Sequence, residues 1–114
     1  MPMISVRTST AISVEKEAIL TQKLGKAITL IPGKSEAHLM LSYEDNARMA
    51  FAGENDGPLA FVEVYCFGAA QSDAYDELTA AICNMLCDEL AIPPDGVYVK
   101  YIETVNWGWN GKNF

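Results

Sequence analysis

The chain has 114 residues, half of them apolar, which supplies one packed domain spanning 1–114 and argues against intrinsic disorder. Fifteen acidic residues against eight basic ones leave a formal charge of −7, a balance set against nucleic acid and anionic membrane surfaces as main partners. Three cysteines with no Cys-x-x-Cys pair, and His38 as the one histidine, give neither a disulfide framework nor a zinc site.

Taken in chain order, Met1–Arg7 lacks the basic start and long apolar stretch of a signal peptide, and no apolar run reaches membrane-span length, so a reducing cytosolic setting is expected. Ile4 to Thr8 alternates apolar and polar residues and predicts a short strand. Ser13 is placed to cap a helix with Glu15 and Glu17 in its first turn, where acids suit the dipole. Leu20, Leu24, Ala27 and Ile28 make its apolar stripe, Lys16, Lys23 and Lys26 its wet side, and Pro32-Gly33 its stop. His38 to Tyr43 reads as a second strand, Met49 to Phe51 as a brief extended piece, and Gly53 to Pro58 as a turn.

The plan then recurs. Leu59 to Phe67 is the strongest strand, and Ser72 is placed to cap a second helix with the stripe Leu78, Ile82, Met85, Leu86 and Leu90. Cys83 and Cys87 fall on one face of that helix and read as buried free thiols. Ile92-Pro93-Pro94 ends it, Val97 to Ile102 is a fourth strand, and the tail carries both Trp107 and Trp109. Two successive β-α-β units with right-handed crossovers predict an α+β fold with both helices on one face of a four-stranded sheet.

The other sheet face is then bare. In the third strand Ala60, Val62, Val64 and Cys66 share the side suited to helices, while Phe61, Tyr65 and Phe67 share the other, interrupted by Glu63. A contiguous aromatic and aliphatic face marks an interface, and an obligate oligomer follows; the alternative is a single chain whose tail folds over that face.

Three short features carry chemistry. Removal of Met1 would expose Pro2 as a secondary amine, and burial or a nearby cation would lower its pKa from about 7.7–8 to where a general base is useful. Lys34, after Gly33, is a cation suited to a substrate carboxylate, and equally a solvated lysine at a helix C-terminus. Tyr98 and Lys100 share one strand face, where Tyr98 offers a phenol to a substrate or to an interface.

These residues resemble the macrophage migration inhibitory factor family of the tautomerase superfamily. The resemblance runs over the whole chain, on Met1-Pro2-Met3, Gly33-Lys34, Met49-Ala50-Phe51-Ala52-Gly53, Val97-Tyr98-Val99 and Gly108-Trp109-Asn110-Gly111-Lys112-Asn113-Phe114. It implies a homotrimer of β-α-β-β-α-β subunits. It implies keto–enol tautomerisation of aromatic α-keto acids, as in a phenylpyruvate or dopachrome tautomerase, with no metal and no cofactor. By the same resemblance Pro2 is the catalytic amine, Lys34 binds the carboxylate and the backbone amide of Phe67 supports the substrate. Tyr98 comes from a neighbouring subunit, and Trp107, Trp109 and Phe114 form the aromatic wall.

The chain departs from the family pattern at several positions. Lys100 stands where the vertebrate cytokines usually have Asn; it would either add a cation that depresses Pro2 and favours anionic substrates, or crowd the pocket. His38 replaces a pocket tyrosine, and reads either as lining the pocket mouth or as a structural histidine at a strand edge, and Ser35 replaces a proline. Pro58-Leu59-Ala60-Phe61 stands where some members have Cys-x-x-Cys, so thiol oxidoreductase activity does not carry over. Hydratase or dehalogenase chemistry would need a water-activating acid, for which Glu63 and Glu103 are the nominees. The alternative function is a cytokine-like or host-interaction protein, exported without a signal peptide and acting on a receptor or host protein. A third reading is a small-molecule regulatory module that would not need Pro2 at the terminus.

Overall fold

The computed structural model describes all 114 residues. Six principal elements follow in chain order: β1 (Pro2–Thr8), α1 (Val14–Ala27), β2 (Met40–Glu44), β3 (Ala60–Phe67), α2 (Ser72–Leu90) and β4 (Val97–Thr104). The sheet order is β2-β1-β3-β4. Each β-α-β half forms a parallel pair, and the halves join through antiparallel β1 and β3. This is the expected α+β architecture.

The strand period of two sorts the faces. Ile4, Val6, Val62, Val64 and Cys66 are buried beneath the helices, where Leu20, Leu24 and Ile28 meet Leu78, Ile82, Met85 and Leu86. Met3, Ser5 and Arg7 of β1, Phe61, Glu63, Tyr65 and Phe67 of β3, and Tyr98 and Lys100 of β4 share the opposite face. No helix covers that face. Tyr98 is 62% and Met40 67% exposed. The tail covers only one end, through a small hairpin of β5 (Gly108–Trp109) and β6 (Lys112–Asn113). Its turn is Asn110-Gly111, both at positive φ, the geometry that matches strand twist in two-residue hairpins.

Several boundaries differ from the sequence expectation. β1 begins at Pro2 rather than Ile4, because a proline without an N–H is tolerated as the first residue of a strand. The second strand begins at Met40, and His38 instead ends a 3-10 turn, Glu36–His38. α1 ends at Ala27 and tightens into a 3-10 turn over Ile28–Leu30 before Pro32. Met49 and Ala50 form no strand; Phe51 makes an isolated bridge to Glu54.

Ser72 does not cap α2 but is its first residue, and Asp73 Oδ1 accepts the Ala74 N–H. Ser13 does cap α1, accepting the Lys16 N–H. Lys16 and Lys23 are not simply solvated: both reach Glu89 of α2, at 3.1 and 2.7 Å, and tie the two helices together. Of the thiols, Cys66 is buried, whereas Cys83 is half-buried and Cys87 exposed, because that helix face turns away from the sheet.

Candidate active site

The chain's first strand opens into a cavity of about 870 Å³, within the range of roughly 300–1,000 Å³ usual for small-molecule sites. Its floor is Met1, Pro2, Met3 and Ser5, one wall is Ala37, His38, Leu39 and Met40, and Tyr65, Trp107, Gly108 and Trp109 complete it. Eight of these twelve residues are hydrophobic, so a charge placed here is held in a largely apolar setting.

Local sequence brings Lys34 to this end of the sheet. Gly33 takes a left-handed φ of 81°, and the Lys34 N–H donates to the Ile31 carbonyl at 3.1 Å, turning the chain back after the 3-10 segment. Lys34 Nζ then donates to the carbonyl oxygen of Phe67 at 2.7 Å. The amide N–H of Phe67 donates to the carbonyl of Met1 at 3.1 Å. Lys34, Phe67 and the start of β1 are thus gathered at one point.

This setting acts on the terminal amine. Burial first, then the positive charge of Lys34 and its hydrogen bond, hold the Met1 amine below the ordinary α-amino range. Cys66, the register partner of Pro2, lies beside it on the helix face; burial pushes its thiol up, partly offset by Lys34. No cluster of three or more His, Cys, Asp and Glu side chains is arranged to hold a metal ion.

The aromatic rim is built by the tail. Trp109 packs edge-on to His38 with ring centroids 5.5 Å apart, and both line the cavity. Phe114 packs against Phe67 at 5.4 Å and near Trp109 at 6.5 Å, and its N–H closes the hairpin onto the Trp107 carbonyl at 3.1 Å.

Tyr98 and Lys100 are not brought to this cavity within the chain. Pro2 pairs with Cys66 at one end of β3, whereas Tyr98 pairs with Phe61 near the other, where it packs against Phe51 at 5.3 Å. The offset of five residues is about 17 Å at ~3.3 Å per strand residue. Lys100 lies opposite Glu63 on the bare face. Of the two nominated acids, Glu103 turns toward the helices, accepting from the Ala70 N–H and the Tyr75 hydroxyl, and does not line the cavity. Glu63 accepts the hydroxyl of Tyr65, which does line it.

Nothing in the sequence by itself marks Met3, Ser5, Met40 and Tyr65 as site residues. Strand parity identifies Met3, Ser5 and Tyr65 as one face. Only the pairing register, with Met3 opposite both Met40 and Tyr65, puts them at the Pro2 end.

The comparisons with known proteins agree with this architecture. The family model described as macrophage migration inhibitory factor (MIF) matches residues 1–114. The mouse macrophage migration inhibitory factor is 32% identical over 119 residues, covering 100% of this chain and 99% of the relative. Its counterpart from Meriones unguiculatus is 31% identical with the same coverage. The crystal structure of Leishmania major MIF2 superposes with a TM-score of 0.93 at 30% identity, covering 100% of this chain and 97% of that one. The Toxoplasma gondii macrophage migration inhibitory factor, at 22% identity and a TM-score of 0.90, shares the fold. With a match along its whole length, and the same two-helix, four-stranded architecture in its structural neighbours, the chain belongs to the macrophage migration inhibitory factor family of the tautomerase superfamily.

Proposed function

We propose that the protein is a tautomerase that interconverts keto and enol forms of aromatic α-keto acids such as phenylpyruvate, with Pro2, freed by loss of Met1, as the base. The observation that carries this reading is the setting of the chain's start: Met1 and Pro2 line a mostly apolar cavity, and burial first and then Lys34 hold the Met1 amine, one residue before Pro2, below its ordinary range. A neutral amine is the form that takes a proton, and it is available near neutral pH only where its ammonium is disfavoured.

In the forward direction the nitrogen lone pair of Pro2 takes a proton from the carbon next to the keto group. The electron pair moves into the new carbon–carbon double bond and onto the keto oxygen. Return of the proton to that oxygen gives the enol, with no net change in oxidation state. Lys34 Nζ keeps donors beyond the one given to Phe67 and holds the substrate carboxylate; its charge also offsets the negative charge that develops. The Phe67 N–H, released from the Met1 carbonyl when Met1 is absent, adds a backbone donor at the same place. His38, Trp107, Trp109 and Phe114 enclose the ring of the substrate.

Tyr98 and Lys100 join this site only from another copy of the chain, in a homotrimer whose bare sheet faces are covered by neighbours. The exposed Tyr98 and Met40 on an uncovered face support that assembly. Sedimentation equilibrium tests it, and a single-chain mass would remove both the trimer and the shared site.

The experiment for the activity is phenylpyruvate turnover by protein whose intact mass shows Met1 absent, alongside Pro2→Gly. A general base contributes about 10²–10⁴-fold, and the variant is expected to lose that much. An unchanged rate excludes Pro2 as the base. A second reading, a signalling protein with a binding-only pocket, draws on the name of the rodent relatives, which describes an effect on macrophage migration. Absence of turnover from Met1-free protein, with the same pocket still binding carboxylates, would favour it.

A further inference from the structure

The cavity also carries a phenol at the Pro2 end of the register, where Tyr65 pairs with Met3. Tyr65 lines it from the bare face of β3, two residues inward from Phe67, which is about 7 Å along the strand. That is the reach of a short keto acid extended by one aromatic ring. The rest of the lining is mostly apolar, from Met3, Leu39, Met40 and the tryptophans, with Ser5 and His38 as its other polar side chains.

The state of the Tyr65 hydroxyl is fixed by its neighbour. Glu63, on the same face of β3, lies 3.1 Å from it. An ionised carboxylate only accepts, so the hydrogen of this bond belongs to Tyr65. The nearby guanidinium of Arg7 is held by Glu44 at 2.7 Å, and Lys100, across from Glu63 on β4, makes no ion pair with it. Burial and then the hydrogen bond to Glu63 push the Tyr65 phenol up, so it stays neutral across ordinary pH. With its proton committed, the oxygen of Tyr65 offers only lone pairs to the cavity.

Resting on the reading that α-keto acids bind here with the carboxylate at Lys34, we propose that Tyr65, oriented by Glu63, is an acceptor-only subsite. It selects substrates that carry a hydrogen-bond donor, such as a ring amine or hydroxyl, at the end remote from the carboxylate. Glu63 is a positioning residue in this arrangement: it does not touch the substrate but decides which way the phenol proton points. A ring substituent that only accepts meets a lone pair and leaves a buried polar atom unpaired, the situation in which polar sites discriminate most.

The test is equilibrium binding of two non-reacting carboxylates, 4-aminophenylacetate and 4-methoxyphenylacetate, to the full chain by calorimetry. Wild type is expected to bind the amino compound about 3- to 10-fold tighter, the span of one neutral hydrogen bond. In Tyr65→Phe, which keeps the ring, the preference should fall to about 1, the acceptor being gone. In Glu63→Ala the freed phenol proton can donate, so the methoxy compound should gain affinity while the amino compound holds its own. A merely structural role for Glu63 would weaken both together.

No preference in wild type, no measurable binding of either compound, an unchanged ratio in Tyr65→Phe, or a parallel loss in Glu63→Ala each overturns the proposal. Phenylpyruvate turnover is read separately on the same samples. A preference without turnover leaves the subsite standing and removes the tautomerase reading; turnover without a preference does the reverse.

Discussion

Replacing Lys34 by Ala should have two effects that separate in one experiment. Lys34 Nζ sits 2.7 Å from the Phe67 carbonyl and beside the Met1 amine, so on the proposed reading its charge serves both the substrate and, after loss of Met1, the Pro2 base. A hydrogen bond to a charged group is worth about 1.5–3 kcal/mol, so kcat/KM for an α-keto acid should fall roughly 10- to 150-fold. The second effect is on the pH profile. Lys34 disfavours a second positive charge nearby: it lowers the pKa of the Met1 amine, with burial as the larger cause, and is expected to act in the same direction on that of Pro2 once Met1 is removed. A base works when unprotonated, so activity is lost as pH falls through that pKa. Without Lys34 the amine protonates more readily, its pKa rises, and the acidic limb moves to higher pH. The limb should not return fully to that of a free amine, because the burial remains. Lys34→Arg keeps the charge and should keep the limb near its wild-type position even where binding geometry suffers. The assay is kcat/KM against pH for wild type and both variants, each with its N-terminus defined by intact mass. An acidic limb that stays in place in Lys34→Ala would refute the claim that Lys34 tunes the base.

Lys100→Ala tests the shared site: if Lys100 of a neighbouring copy lies near Pro2, the acidic limb moves in the same direction as for Lys34→Ala with a smaller loss of carboxylate affinity. A limb unmoved by this change leaves Lys100 on the bare face opposite Glu63. Ala91 ends α2 with a left-handed φ of 56°, its N–H on the Cys87 carbonyl, and Ala91→Gly should relieve strain and stabilise by up to about 1 kcal/mol in urea unfolding. Glu89→Gln should lower Tm near neutral pH. Hydrogen bonds from Lys23 and then Lys16 hold the Glu89 carboxyl below its ordinary range, so its contribution is complete above the unfolded carboxylate pKa. The wild-type advantage should close as pH falls through the lowered value, and a gap that persists in acid would show that packing, not charge, links the helices there.

The sequence by itself determined the layers and the faces. Alternation through Leu59 to Phe67 has a period of two, so it separated the residues beneath the helices from the bare aromatic face, and the structure keeps that division residue by residue. Helix spacing likewise named Leu20, Leu24, Leu78 and Ile82 as core. Pro2, Lys34, His38 and both tryptophans could be nominated because their residue types suit one chemistry and their motifs resemble one family. What only the tertiary structure decided was which of these meet. Lys34 and the Phe67 carbonyl are 33 residues apart in sequence, and a turn at Gly33 brings them to 2.7 Å. The same pairing register that gathers Pro2, Met3 and Tyr65 carries Tyr98 to the far end of the sheet. Glu89 holds two lysines that looked solvated, and Glu63 sets the proton of a tyrosine that looked like interface. Periodicity is local and can assign a face; a hydrogen bond between distant segments depends on strand register and loop geometry, which no single segment encodes.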